Sequence, residues 1–438
     1  MRLPLSDGDP AKVAALSEAG ADLRYRTAKG YDALIDAAHG RDVARDARLI
    51  ELLKLLLGSG VAIDGCSTYG ETALRVLSRL GRFDAVALLL AAGADRSQLK
   101  WTALHEAVVF GALSDVHTCA NDGVALEEAD DWMRTPWLLA VVAGHLDKAR
   151  CLQERGADVF ARSRGGVMAL HLAAGSGASD VLRWLLECGH DADGADSFGH
   201  TPLMAAVEAR NAEAVEVLLA HGVNVERECN GGTALSGADT ADIVRRLLDA
   251  GADPQRISEQ GRRALAGLAP EGDPGVLASV SEAEFARACT RRFGAANPHE
   301  FDEPFLRAMV RGGVSAFAAR RSFASADSVE APVWCAVRFG QSLTVLPDGR
   351  IVQIGGEHED FYDPDFCIYN DVFVHDRAGG VRIFGYPRGV FAPADFHTAT
   401  LVGDYIYVIG SLGYKDARQY GTTPVFRLDV RDWRFEVV

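Results

Sequence analysis

The chain has 438 residues, 48% hydrophobic and 24% charged, which excludes wholesale disorder and leaves ample length to bury cores without disulfides or metal. Its 45 basic and 61 acidic side chains give a formal net charge of −16, a field that repels phosphate backbones and anionic lipid. No nucleic acid and no membrane are therefore expected as partners. The opening residues MRLPLSDGDP lack a secretory pattern, and no apolar run nears the roughly 18 residues of a membrane helix. Eight cysteines lie tens of residues apart without a C-x-x-C pair, as in reduced and mostly buried thiols, so a cytoplasmic address is expected.

Two phrases recur in one phase along the first 268 residues. Gly-Ala-Asp stands at Gly20, Gly93, Gly156 and Gly251, with degraded copies at Gly60, Gly123, Gly189 and Gly222. From Gly60 the steps are 33, 30, 33, 33, 33 and 29. A Thr-Pro/Ala-Leu phrase keeps time with it at Thr72, Thr102, Thr135, Thr201 and Thr233. Each unit reads as a helix after the Thr phrase, a tight turn, and a second helix whose apolar spacing gives it one face to bury. The Thr hydroxyl suits an N-cap, and the Gly just past the second helix suits a left-handed C-cap. Neither helix can bury its face alone, so neighbouring units must stack.

These residues resemble the ankyrin repeat, most closely at Gly199-His200-Thr201-Pro202-Leu203-Met204-Ala205-Ala206 with Leu218-Leu219-Ala220-His221-Gly222. The resemblance covers about residues 8–268, some seven to eight units. Departures are an insertion around Arg41–Arg48 and a hairpin between Gly93 and Thr102 that is three residues short, hence a stubby finger. The units from Gly232 onward lose Ala-Ala and read as a degraded cap. Family likeness implies that His105 and His171 bond backbone between repeats. It also implies recognition of a protein partner through the hairpin tips and the concave face of the first helices.

Tyr69, Trp132 and Phe198 share one slot, three residues before the Thr, at spacings of 63 and 66. Two readings stay open for them: anchors for a partner, or rings folded back over their own hairpins. Asp131, Arg134, Arg162, Arg164 and His200 share the tips and are expected as rim contacts. The anchor reading predicts that Trp132→Ala and Phe198→Ala abolish partner capture with little change in melting temperature.

Beyond Leu268 the period is lost. Residues 269–280, with APEGDPG at 269–275, read as a linker, and 281–330 as a helical connector with helices at 281–292 and 304–323. Residues 331–438 turn to short strands at 342–346, 350–354, 371–375, 381–384, 398–402, 405–409, 424–428 and 434–437. Here Leu346-Pro-Asp-Gly-Arg-Ile-Val-Gln-Ile-Gly355-Gly356 aligns with Leu401-Val-Gly-Asp-Tyr-Ile-Tyr-Val-Ile-Gly410-Ser411, a step of 55. Each copy ends in a strand closing on Asp376 or Asp429, and Trp433 follows the second. This resembles the kelch repeat. The expected fold class is thus multidomain α + β: an α-solenoid, a short helical segment and a small antiparallel domain of kelch-like blades. Two copies cannot close a propeller, so either the sheets pack on each other and on the 281–323 helices, or two chains pair as a homodimer.

The densest polar group is Glu357-His358-Glu359-Asp360 with Asp363 and Asp365, which reads first as a solvated loop after Gly-Gly. Its alternative role is metal binding through Glu357, Glu359, Asp363 and Asp365, or acid–base work beside Arg338, Gln341 and His397. Asp395, His397 and Asp404 form a weaker cluster that reads as structural. No phosphate loop, dinucleotide fingerprint, nucleophile elbow or His-Glu-x-x-His is present, so no cofactor and no catalytic residue is expected. The sequence reading is a non-catalytic binding scaffold.

Overall fold

The computed structural model describes residues 8–40, 46–120, 126–267, 273–324, 332–360, 363–376, 379–415 and 421–438, with the backbone alone for 259, 360 and 363–365. The chain divides into two compact units, residues 1–234 and 235–438.

The first unit is a row of helix pairs. After α1 (Pro10–Glu18) the inner helices are α2 (Ala33–Ala38), α4 (Ala73–Arg79), α6 (Ala103–Phe110), α8 (Pro136–Val142), α10 (Ala169–Ser176) and α12 (Pro202–Glu208). The outer ones are α3 (Leu49–Gly58), α5 (Phe83–Ala91), α7 (Leu113–Ala120), α9 (Leu146–Glu154), α11 (Ser179–Glu187) and α13 (Ala212–Ala220). Thr72, Thr102, Thr135 and Thr201 accept a hydrogen bond from the third residue of the following helix, so the repeated Thr is the N-cap. Met168 takes that place before α10 and offers no hydroxyl.

Among the described residues α3, α5, α9, α11 and α13 are each followed by a glycine in the left-handed region, as at Gly189 (φ +82°) and Gly222 (φ +86°). An added Cβ at Gly222 would meet open space, so the backbone conformation alone demands glycine there. Gly222→Ala is expected to lower stability by about 1 kcal/mol, read as a reduced urea midpoint with an unchanged slope.

Side chains from one repeat satisfy helix ends in another. Arg134, 2% exposed, pairs with buried Asp130 and donates to the Ser78 carbonyl (2.8 Å) and hydroxyl (2.7 Å) at the end of α4. Buried Lys148 donates to the carbonyls of Val108 (2.7 Å) and Gly111 (2.8 Å) at the end of α6. Burial holds its pKa below the usual lysine range. Asn211 donates to Ala174 in α10 (3.0 Å). His105 and His171 place Nε2 against the carbonyls of Arg134 (3.2 Å) and His200 (2.8 Å), each 29 residues on, in the role that family likeness implied.

Arg134 is therefore a strut inside the solenoid, not a rim contact. Arg134→Ala is expected to cost about 3 kcal/mol in thermal or urea unfolding, because Asp130 would be left buried without its cation.

The second unit begins within α14 (Ala234–Gly237), at Leu235, and contains α15 (Ala241–Asp249), α16 (Glu259–Leu265), α17 (Glu282–Ala288), α18 (Pro304–Gly312) and α19 (Ala316–Ser322). The single helix expected over 304–323 is two, because Gly313 turns left-handed (φ +58°) after α18. The strands are β1 (His299–Phe301), β2 (Ser342–Val345), β3 (Ile351–Ile354), β4 (Glu357–Asp360), β5 (Asp363–Ile368), β6 (Val372–His375), β7 (Val381–Gly385), β8 (Thr398–Val402), β9 (Tyr405–Ile409), β10 (Val425–Asp429) and β11 (Phe435–Val437). They form an antiparallel sheet β1-β7-β6-β3-β2, a second β11-β10-β9-β8, and the hairpin β4-β5. Among the described residues neither sheet closes.

Alternation along β6 explains the packing. Val372 and Val374 join Ile406, Val408, Leu428 and Phe435 in one core, while Phe373 joins Phe285, Phe305 and Trp334 in another. The first sheet is thus covered on both faces, by the second sheet and by helices.

Candidate functional site

The hairpin tips are built by one recurrent device. Asp196 Oδ1 accepts from the amides of Phe198 (2.8 Å) and His200 (2.9 Å), and Asp130 Oδ1 does the same for Trp132 and Arg134 (both 2.8 Å). The Ser67 hydroxyl serves Tyr69 and Glu71. Such a turn holds the residue two positions on at the outermost point of the loop. Tips are tied to one another by backbone bonds, Arg164 N to Trp132 O (2.9 Å) and Ser197 N to Gly165 O (2.8 Å).

The three aromatics in that slot have different fates. Tyr69 (66% exposed) and Phe198 (71%) stand in solvent, and so do Phe160 (73%) and Met133 (54%), which the slot rule missed. Phe160 lies eight residues before Met168, which holds the Thr position of its repeat, so the three-residue slot does not find it. Trp132 instead folds inward. Its Nε1 donates to the Arg75 carbonyl in α4 (3.0 Å), 57 residues back.

The short finger explains this reach. Residues 96–99 form a single 3₁₀ turn, and the amide of Asp131 bonds directly to Leu99 O (3.1 Å). With three residues missing from that hairpin, the next tip lies over α4. Arg75, Arg79 and Arg164 place guanidinium carbons 5.8, 5.2 and 5.2 Å from the Trp132 ring centre. Arg75 Nε donates to Asp131 (2.8 Å), Lys100 pairs with the same carboxylate (3.4 Å), and Arg164 donates to the Asp131 carbonyl (2.8 Å). Asp131 is buried, so like Arg134 it is not a rim contact: its carboxylate orders cations inside the face. Arg162 bonds the carbonyl of Gly166 (3.2 Å), and His200 pairs with Glu208 (3.0 Å), which raises its pKa.

In the second unit, the acidic stretch expected as a loop is the hairpin β4-β5, with Glu357 half-buried and His358 buried. The side chains of Asp363 and Asp365 lie outside the described residues. Among the described residues, no group of three or more His, Cys, Asp or Glu is placed to hold a metal ion. Burial and a shared hydrogen bond with Asp395 push the Glu357 carboxyl up to about 7.

Arg338, Gln341 and His397 lie close by but are engaged in the fold. Arg338 is ion-paired with buried Asp371 (2.8 Å), and Gln341 bonds Gln353 (3.0 Å). His397 Nε2 meets the Ser342 hydroxyl at 2.8 Å. A Cβ on Gly356 would lie 2.9 Å from the side chains of both Arg338 and Gln341, so only a glycine packs between them there. Asp404 is exposed and pairs with Arg431.

Burial lowers His375 and His397 to about 4 from 6.5. Between those values the unfolded chain binds protons that the fold refuses, so these two rings remove stability as pH falls from about 6.5 to 4. Glu357 acts in the opposite sense: the fold holds its proton up to about 7, and the unfolded chain loses it near 4.5. Glu357→Gln is therefore expected to match wild type at pH 5 and to exceed it in urea midpoint at pH 8, where the two carboxylates of wild type repel.

Helix pairs joined by bonded hairpins, with side chains of some repeats satisfying helix ends in others, define the first unit as a repeat solenoid. Residues 42–122 and 170–258 match a family model of ankyrin repeats in three copies, and residues 138–186 one of ankyrin repeats in many copies. The chain thus carries ankyrin repeats, beside a C-terminal antiparallel sheet region. It is 39% identical to the B-cell lymphoma 3 protein homolog of Mus musculus over 101 residues, 22% of each chain. Over 149 residues, 32% of this chain and 9% of the relative, it is 32% identical to the E3 ubiquitin-protein ligase KEG of Arabidopsis thaliana. A third match is Protein fem-1 homolog A-like of Mus musculus, 36% identical over 119 residues, 27% of this chain and 18% of that one. The matches therefore span under a quarter of each of these relatives. Among the described residues, no helix is long and apolar enough to cross a membrane.

Proposed function

We propose that the protein is a non-catalytic recognition scaffold whose solenoid, extending to about residue 268, captures a protein partner on its hairpin edge and inner-helix face. The observation that carries this reading is the row of apolar side chains left in solvent on hairpin segments, Tyr69, Phe160 and Phe198 with Met133. Rigid, two-torsion aromatics exposed on a bonded scaffold are the residue type that anchors interfaces. Ankyrin repeats generally mediate protein–protein interaction, which agrees.

Two kelch-like blades suit the second unit in this reading. Ser342 at the start of β2 and His397 just before β8 are bonded to each other and occupy equivalent positions of the copies 55 residues apart. Exposed Val402, Ile409 and Val437 on the second sheet are where a second copy would pair as a homodimer. Eight free thiols suit a reducing, cytoplasmic address.

A photo-crosslinking residue at position 198 is expected to trap a partner from cell lysate, and one at Glu187 on an outer helix is not. Phe198→Ala and Tyr69→Ala should abolish capture while changing stability by about 0.5 kcal/mol or less. Trp132→Ala should also lower stability, by about 2 kcal/mol, because its ring and indole N–H belong to the solenoid. Equal trapping from positions 198 and 187 would refute the reading.

A further inference from the structure

The cations gathered around Trp132 are out of keeping with the rest of this acidic chain. Arg75 and Lys100 pair with one carboxylate, Asp131, and Arg79 and Arg164 lie against the Trp132 ring beside it, in a protein whose formal charge is −16. Asp130, the neighbouring acid, is neutralised by buried Arg134. Among the described residues neither Arg79 nor Arg164 has a carboxylate partner, and Arg79 is exposed beside the Trp132 ring with its donors unused. Their guanidinium groups are nevertheless positioned, by the indole face and, for Arg164, by the bond to the Asp131 carbonyl. Ordering long cationic side chains before a ligand arrives removes part of the entropy cost of binding it.

We propose that this patch, set on the inner face by the shortened finger, docks a short acidic peptide segment whose glutamate or aspartate carboxylates take the free donors of Arg79 and Arg164. Planar guanidinium forks pair with carboxylates in two parallel bonds, and the indole supplies an apolar flank for the residues between them. A nucleic-acid strand is disfavoured, because four cations on a strongly anionic body cannot offset repulsion of a polyphosphate. The inference rests on the solenoid's being a recognition surface, and names the chemistry of what it recognises there.

The test is fluorescence anisotropy of the full chain with a fluorescein-labelled peptide of alternating glutamate and leucine, its glutamine–leucine counterpart, and a labelled oligothymidylate. Expected are binding of the acidic peptide alone, weakening of about tenfold by Arg79→Glu or Arg164→Glu, and no change with Arg183→Glu, a remote exposed cation. Salt at about 0.5 M should also weaken binding severalfold. Arg79 is exposed and, among the described residues, makes no hydrogen bond or ion pair, so circular dichroism of Arg79→Glu should match wild type.

Equal affinity for the glutamine peptide, or indifference to Arg79→Glu, would overturn the inference. So would tighter binding of the oligothymidylate, or self-association in light scattering that Arg79→Glu abolishes, which would assign the patch to a second copy. If the partner trapped at position 198 is retained by Arg79→Glu while the acidic peptide fails to bind, only this inference falls. If trapping fails and the acidic peptide still binds in an Arg79-dependent way, the tips lose their role and the patch keeps its own.

Discussion

Carbonyl groups at the ends of three inner helices of the solenoid accept side-chain donors from other repeats, and these links are what the array depends on. An α-helix leaves its last four carbonyls without intrahelical partners. Here Arg134 answers those of α4, Lys148 those of α6 and Asn211 those of α10. Histidines 105 and 171 add a second link of the same kind, from helix to hairpin. Each repeat is incomplete until another is in place, so stability belongs to interfaces between repeats more than to any one of them.

The candidate surface follows from a defect in that regularity. Because residues 96–99 make only one 3₁₀ turn, the tip descends, Arg134 reaches Ser78, and Trp132 settles against Arg75. A ring expected at the edge becomes a floor for cations. Three missing residues thus convert part of a hydrophobic edge into a basic patch, while Tyr69 and Phe198, on tips after full-length hairpins, stay in solvent.

The second unit turns on a different centre. The Arg338 guanidinium lies 3.5 Å from the Tyr369 ring centre, close to Phe373 and Trp334, and is paired with Asp371, whose Oδ2 also accepts from Trp334 Nε1 (2.9 Å). A buried charge of this kind survives only with its partner and its hydrogen bonds intact. It joins the segment before β2 to the β5-β6 turn, from which the first sheet and the acidic hairpin both extend. The carboxyl pair Glu357–Asp395 is held in that frame.

Much of this was legible in sequence. The 33-residue period marks the helix pairs because stacking requires the same cap, the same apolar face and the same left-handed glycine at each step. The step of 55 marks two four-stranded meanders for the same reason, and eight strands fall within a residue of their expected places. What the sequence left open was the direction of side chains whose environment comes from distant chain. Tyr69, Trp132 and Phe198 occupy one slot and look alike, yet Trp132 is decided by α4, 57 residues away. The stretch from Glu357 to Asp365 reads as a loop because its charges mask a strand pairing, and Asp395 is needed before Glu357 has a shared proton. By itself the sequence determined the repeats and hence the solenoid, since local caps and periodicity are written in neighbouring residues. Only the tertiary structure decided which charged tips are struts and which are surface, since that depends on contacts across repeats that no local pattern encodes.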